Sequence, residues 1–145
     1  MKHVINIAIA ILLSTGISVA QRQAENNPGL IAKSNSHNFG RLSYLETAEY
    51  EFSLKNITDK NIVITNVRAK CGCTPVDWSK EPVGPGEKAY ISISYDTSIT
   101  GKFQKSVFVF TNEKSAPVKL NISGKVIPPD PGDDAYEHWK KKYKQ

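Results

Sequence analysis

Apolar and polar residues alternate along several short stretches of the chain. In residues 118–126, every second residue from Val118 is apolar or glycine, and the residues between them are Lys, Asn or Ser. Residues 50–55 and 91–96 follow the same pattern. A period of two residues is typical of a β-strand with one buried and one solvated face. We therefore expect a protein built from short strands.

Two further stretches are apolar at consecutive positions, namely residues 62–64 and residues 107–110. Such runs predict central strands, or strands that carry an apolar patch on the outer side. Thr58–Asn61 indicates a hairpin-like turn, and Val83–Glu87 places Pro and Gly as a type II turn requires. No segment before residue 128 has a helical period. The pattern predicts an all-β fold, an immunoglobulin-like antiparallel β-sandwich of about seven strands over residues 35–127.

The first twenty residues differ from the rest of the chain. They begin with Met-Lys-His, continue with the mostly apolar run Val4–Leu13 and end on small residues at Ser18 and Ala20. This is the pattern of a secretory signal peptide over residues 1–20, cleaved before Gln21. The apolar run is too short to cross a bilayer, so we expect no transmembrane segment in the mature chain. Export places the protein in the periplasm or outside the cell, where thiols can be oxidised.

The size and charge of the chain narrow the possible functions. A chain of 145 residues suits one small domain and excludes large enzyme architectures. The formal net charge is +5, and loss of Lys2 with the leader makes it +4. The basic residues are scattered and the destination is outside the cytoplasm, so we expect no nucleic-acid partner. Gln, Glu, Asn, Pro, Gly and Lys dominate residues 21–34, which include a turn pattern, and we interpret the segment as a flexible lead-in.

The last segment, residues 128–145, is a Pro-rich linker followed by a basic and aromatic tail. Tyr136, Trp139 and Tyr143 are spaced by three and four residues, which would place them on one side of a short helix capped by an aspartate. A lone helix of this length is marginal in water. The tail is therefore either frayed, or packed on its own domain, or an aromatic and basic contact surface for a partner or an anionic surface.

Cys71 and Cys73 are the one chemically distinctive feature, and three interpretations stay open. Two residues of extended chain span about 6.6 Å, so a Cys71–Cys73 disulfide would be strained and easily reduced. The two could also be unbonded structural thiols, or could bind Cu(I). A zinc site is not expected, because only two histidines would remain in the exported chain. Trp78, five residues after Cys73, could cover the sulfurs within the core or form an exposed contact surface.

The Cys-Gly-Cys-Thr run of residues 71–74 also carries a family resemblance. Together with Asn38-Phe39-Gly40, Lys55-Asn56, residues 64–68 and the Pro85-Gly86 turn, it resembles the bacterial domain-of-unknown-function family fifteen seventy-three over residues of about 37 to 127. The resemblance implies an immunoglobulin-like sandwich similar to the Hydin and major-sperm-protein-like modules, common in exported proteins of Bacteroidetes. It implies no established activity.

Catalytic patterns are missing from the chain. It has no Gly-x-Ser-x-Gly elbow, no phosphate loop and no His-Glu-x-x-His, so we expect no enzyme, no catalytic residue, no metal and no cofactor. We expect a monomeric, exported module that binds or positions an envelope protein or polysaccharide through sheet edges or the loops at residues 71–78 and 83–87. The alternatives are a thiol redox or copper-handling protein acting through Cys71 and Cys73, and a structural module whose tail is a docking peptide.

Overall fold

The structure is a computed structural model that describes residues 29–69, 76–113 and 116–144. Within these residues the chain forms eight strands and one helix. The elements, in chain order, are β1 Leu30–Ala32, β2 Ser36–Ser43, β3 Ala48–Asn56, β4 Ile64–Ala69, β5 Val76–Trp78, β6 Lys88–Tyr95, β7 Gly101–Thr111, β8 Val118–Ile127 and α1 Asp134–Tyr143. The all-β fold with a short helical tail is confirmed.

The strands form two four-stranded sheets that pack face to face. Sheet A has the order β1-β3-β6-β5, and sheet B has the order β2-β8-β7-β4. All pairs within sheet A are antiparallel, and so are the β4–β7 and β7–β8 pairs of sheet B. This is the immunoglobulin-like sandwich that the alternating pattern predicts.

One strand pair departs from the antiparallel expectation. β2 runs parallel to β8, with Leu42 opposite Val126, and its register shifts between Asn38 and Arg41. A parallel pair needs a long crossover, because the end of one strand lies far from the start of the next. Five strands, which belong to both sheets, lie between β2 and β8 in the sequence. The local pattern of apolar and polar residues therefore cannot predict that β2 and β8 pair.

The expectation of a flexible lead-in over residues 21–34 is wrong for its last part. Leu30–Ala32 pairs with β3 as an edge strand of sheet A, and Leu30 is fully buried. Three residues are too few to show an alternating pattern. β1 is stabilised by its backbone hydrogen bonds with β3 and by burial of the Leu30 side chain in the core. Residues 1–28 lie outside the described part of the chain.

The core lies between the two sheets and is filled by the apolar positions of the alternating strands. Phe52, Ile91, Ile93, Leu120 and Ile122 are among its almost fully buried side chains. The apolar run at 107–110 lies in β7, between β8 and β4, as a central strand should. The run at 62–64 does not form a central strand: Ile62 makes an isolated bridge to Val83, and Ile64 begins the edge strand β4.

The predicted type II turn is confirmed. Gly86 has φ +77°, and the Glu87 amide donates to the Gly84 carbonyl at 3.0 Å, which closes the turn around Pro85. Glycine accepts this left-handed backbone without the clash that a side chain would bring. The turn leads directly into β6, so it sets where Lys88 and the residues after it enter sheet A.

After β8 the chain passes through the Pro-rich segment and forms α1. Asp133 is the N-cap, Asp134 and Glu137 lie in the first turn and three lysines lie in the last turn. This charge order is favourable with respect to the helix dipole. None of the helices among the described residues is both long and apolar enough to cross a membrane.

Candidate functional site

The two cysteines belong to the connection between two edge strands. β4 ends at Ala69 on the edge of sheet B, and β5 begins at Val76 on the edge of sheet A. β4 and β5 contact each other, so the two sheet edges meet on the same side of the sandwich. Cys71 and Cys73 lie outside the described residues. Their redox state and their metal binding therefore stay predictions.

Trp78 is placed on the inner side of β5. It pairs with Ile91 of β6, is half-buried and packs against the core. Its ring is covered by the Lys80 ammonium, which lies 3.0 Å from the ring centroid, and Lys80 also pairs with Asp77 at 3.6 Å. The core-packing interpretation fits this placement, and a role as a contact surface stays a prediction.

The edge strand β4 presents polar side chains and backbone to the outside. Within the described chain it pairs with β7 alone. Thr65 and Arg68 are exposed, and the Arg68 guanidinium lies 5.4 Å from the centroid of the Phe110 ring. An edge strand of this kind can accept an extended segment of another chain, because its outer side is where a ladder continues.

The tail is packed on its own domain. The Tyr44 hydroxyl and Nδ1 of His138 lie 2.7 Å apart, and the Tyr143 hydroxyl donates to the Ser98 carbonyl at 2.9 Å. Trp139 Nε1 donates to Thr100 Oγ1 at 3.4 Å. The rings of Tyr136, Trp139 and Tyr143 follow one another at 6.0 and 6.1 Å. Since His138, Trp139 and Tyr143 contact the sandwich, the packed-tail interpretation fits. Tyr143 is exposed, and Tyr136 and Trp139 are half-buried.

The loop that contacts α1 contains Asp96, whose carboxyl group has a lowered pKa. Hydrogen bonds from the side chain and backbone of Ser98 hold the pKa of Asp96 below its ordinary value; burial opposes them, and the charge of Lys142 adds a smaller lowering effect. The Asp96 side chain accepts from the Ser98 amide at 2.9 Å. Lys142 in turn donates to the Ser98 carbonyl at 3.2 Å. The carboxylate thus organises the loop on which the helix rests.

The two histidines among the described residues lie on different elements. His37, on β2, stacks on Tyr50 of β3 with ring centroids 3.6 Å apart, and Phe39 meets it edge-on at 4.6 Å. Burial lowers the pKa of His37 below its ordinary value, since desolvation disfavours the charged ring. In residues 29–69, 76–113 and 116–144, no three His, Cys, Asp or Glu side chains are grouped to hold a metal ion.

A row of cations crosses sheet B, and sequence reasoning missed it. Arg41 of β2 stands opposite Lys125 of β8, and Lys125 stands opposite Lys102 of β7. All three side chains are exposed. In the sequence the basic residues look scattered, because only the register of three strands brings them together. In the sequence, the alternation of lysine with apolar residues in β8 indicated only that the lysines of this strand lie on the outer face of a sheet.

The family of the chain follows from its match over the sandwich. A family model described as "protein of unknown function (DUF1573)" matches residues 30–126. The chain belongs to this family. The DUF1573 match begins at Leu30, seven residues before the start expected from the sequence, and so includes β1. A comparison with curated proteins gives no match.

Solved structures share the DUF1573 fold. A protein of unknown function from Porphyromonas gingivalis is 12% identical with a TM-score of 0.60, over 70% of this chain and 48% of that one, so this chain spans about half its length. The ASH/PapD-like domain 7 of human CEP192 is 10% identical with a TM-score of 0.63, over 81% and 97%. The CupB2 chaperone of Pseudomonas aeruginosa is 11% identical with a TM-score of 0.50, over 66% and 55%. These likenesses show the fold alone.

Proposed function

We propose that this DUF1573 protein is exported and acts as a non-enzymatic module that binds another component of the cell envelope. The observation that carries the proposal is the meeting of two sheet edges, β4 and β5, beside the Cys-containing connection. Edge strands and the loops between them are the surfaces that sandwich domains offer to partners. One of the structures with the same fold is described as a chaperone, a class of protein that binds other proteins.

The geometry of the β4 edge suits recognition of an extended segment. β4 is six residues long, and its exposed side chains, Thr65 and Arg68, are polar. Such residues keep an edge soluble while leaving its backbone available for pairing. A partner segment would gain main-chain hydrogen bonds from β4 and side-chain contacts with the neighbouring β5.

Site-specific photo-cross-linking tests this proposal. A photoreactive residue in place of Thr65 on β4 is compared with one in place of Glu51, which is also exposed but lies on the non-edge strand β3 of sheet A. In intact cells we expect a discrete adduct from position 65 and none from position 51. Adducts of the same size from both positions, or from neither, would contradict binding at the β4 edge.

Export is tested separately. We expect the protein from cells to begin at Gln21 and to be found outside the cytoplasm. Removal of residues 1–20 should retain it in the cytoplasm. The thiol alternative depends on Cys71 and Cys73, which lie outside the described residues, and no described contact favours it.

A further inference from the structure

The two sheets of the sandwich differ in charge. The four strands of sheet B contain six basic residues and no acidic one: Arg41, Arg68, Lys102, Lys105, Lys119 and Lys125. The strands of sheet A carry Glu49, Glu51 and Asp77 against Lys55 and Lys88. All of the sheet B cations except Lys105 are exposed. Sheet B thus carries an excess of positive charge that sheet A lacks, and its five exposed cations contribute most of it.

The centre of this charge is the row of Arg41, Lys125 and Lys102. Residues directly opposite on neighbouring strands have Cβ atoms about 5 Å apart, and like charges in this position destabilise the sheet. Among the described residues the ion pairs are Lys80–Asp77 and Lys140–Glu137, and both lie outside sheet B. The three cations therefore repel one another, and an anionic ligand would remove that repulsion.

The acidic side chains of the loops that follow β2 and precede β7 accept hydrogen bonds within those loops. Glu46 accepts from the Ser43 amide at 2.6 Å, and Asp96 accepts from the Ser98 amide at 2.9 Å. Both lie on loops rather than on the sheet. In contrast, α1 is docked at Thr100, two residues before Lys102, and carries Lys140, Lys141 and Lys142 in its last turn. Asp134 and Glu137 in the first turn of α1 balance these lysines, and Glu137 pairs with Lys140 at 3.7 Å, so the excess of positive charge stays on the sheet.

A groove lies along the same row. Its volume is about 490 Å³, and Lys102 and Lys125 line it together with Asn38, Gln104 and Ser123. Gly40, Phe103 and Gly124 also line it, and its remaining uncharged groups are two amides and a hydroxyl, which can each donate and accept hydrogen bonds. The lysines can pair with the carboxylates of an acidic sugar polymer, and the amides can form hydrogen bonds with its hydroxyl groups. The groove therefore suits a ligand of this class.

The exposed apolar residues argue against a membrane as the occupant of this face. The large exposed apolar side chains of the described chain are Ile31, Leu45, Ile57, Tyr90, Ile99 and Tyr143, and none belongs to a strand of sheet B. A surface that enters the headgroup region needs apolar side chains among its cations. The outer face of sheet B has amides and hydroxyls beside its cations, and its aromatic residues Phe108 and Phe110 are half-buried, with Arg68 lying over the Phe110 ring.

We propose that the outer face of sheet B, centred on Arg41, Lys102 and Lys125, binds an acidic polysaccharide whose sugars carry carboxylate groups. The inference rests on the proposed function, because export brings the protein to the polysaccharides of the envelope. It adds a face and a partner class that the β4 edge does not supply. Binding is electrostatic at long range and specific through the amides of the groove, so it weakens as salt is added.

The test measures binding of the full mature chain to oligogalacturonate, a polymer with one carboxylate per sugar, with neutral dextran as the uncharged probe. The variant Lys102→Gln/Lys125→Gln removes the row. The matched control is Lys55→Gln/Lys88→Gln, which removes a pair that is also directly opposite and exposed, but on sheet A. We expect the first variant to lose about tenfold or more in affinity and the control to stay within about twofold.

Three results would overturn the inference. These are absence of binding to oligogalacturonate, equal losses in both double variants, and tighter binding of duplex DNA or phosphatidylglycerol vesicles through the same lysines. If the sheet B variant fails to fold, as judged by its thermal unfolding, Arg41→Gln replaces it with the same expectations at about threefold. The cross-linking at position 65 is independent of these lysines, so its result decides the proposed function separately.

Discussion

The Asn56 side chain donates from Nδ2 to the Val83 carbonyl at 2.9 Å, and Asn56 is fully buried. The same amide nitrogen donates to the Lys60 carbonyl at 2.7 Å, and Oδ1 accepts from the amide and the hydroxyl of Thr58, each at 2.8 Å. One side chain thus joins the end of β3, the loop after it and the residue before the Gly84–Glu87 turn.

Replacement of Asn56 by Ala should therefore destabilise the sandwich. The change removes the hydrogen bonds of Asn56 Nδ2 to the carbonyls of Lys60 and Val83, and it removes the acceptor of the Thr58 amide. Loss of a partner costs about 1–3 kcal/mol for a buried group. We expect a loss of roughly 2–4 kcal/mol in the free energy of unfolding, measured with urea. Asn66→Ala, on the outer face of β4, is the control and should change stability by about 0.5 kcal/mol or less. Equal effects of the two changes would contradict this account.

The second prediction concerns Gly124, which allows the Phe103 ring to lie close to the backbone of β8. A Cβ at position 124 would lie 2.7 Å from Cζ of Phe103 and 3.3 Å from the Gly40 carbonyl oxygen. Gly124→Ala should destabilise the protein by about 1–3 kcal/mol because ring and backbone must move apart.

A double-mutant cycle identifies the cause of that loss. Phe103→Leu shortens the side chain that Gly124→Ala meets, so the two changes together should cost less than the sum of the single changes. Strictly additive losses would mean that the ring does not determine the need for glycine at 124. Ser123→Ala, at the neighbouring outward position of β8, is the control.

The alternation of apolar and polar residues was enough to predict β3, β6 and β8, because each has one face in the core. It could not predict β1, whose three residues acquire their strand from pairing with β3. The parallel β2–β8 pair and the cation row across it depend on register between distant segments, which no local pattern contains. Asn56 looked like an ordinary strand-end residue, since its network depends on Val83, which is distant in sequence.

The candidate site was predicted less completely than the fold. The spacing of Tyr136, Trp139 and Tyr143 identified the aromatic side of α1, but not the loop at Ser98 and Thr100 that receives it. The loop binds α1 through single hydrogen bonds from Trp139 and Tyr143. Such contacts leave no periodic pattern in a sequence.

The docking of α1 makes a third prediction. A free helix of this length is marginal in water, so its contacts with the sandwich must hold it. Trp139→Ala removes the ring that lies between Tyr136 and Tyr143 and the hydrogen bond to Thr100. We expect faster amide hydrogen exchange in Asp134–Tyr143 and unchanged exchange in β8. Lys141→Ala, at an exposed position of the same helix, should leave exchange unchanged in both; faster exchange in β8 would show that the helix supports the core.

His37 makes the stability depend on pH. Burial against Tyr50 lowers its pKa in the folded protein, so between that value and the ordinary value of about 6.5 the unfolded chain binds more protons. Stability should therefore fall as the pH is lowered below about 6.5, and this loss should be complete below the folded-state pKa.

The variant His37→Phe isolates this effect, since it keeps a ring beside Tyr50 and removes the titrating group. Urea unfolding at about pH 7.5 and about pH 5.5 gives the loss of stability for each protein. We expect a smaller loss in His37→Phe than in the unchanged protein. The same loss in both would assign the pH dependence to other groups.

The thiols of Cys71 and Cys73 make the last prediction, and intact mass decides among their three interpretations. If the strained disulfide forms, protein isolated from its own compartment without reductant has a mass lower by two hydrogens and resists alkylation. We expect this state, because the proposed export would bring the thiols to oxidants that the cytoplasm lacks. A bond across so small a loop removes little chain entropy, so reduction should change the free energy of unfolding by little. Full alkylation of the native protein without prior reduction would contradict the disulfide, and copper retained by the same sample would support the metal-binding interpretation instead.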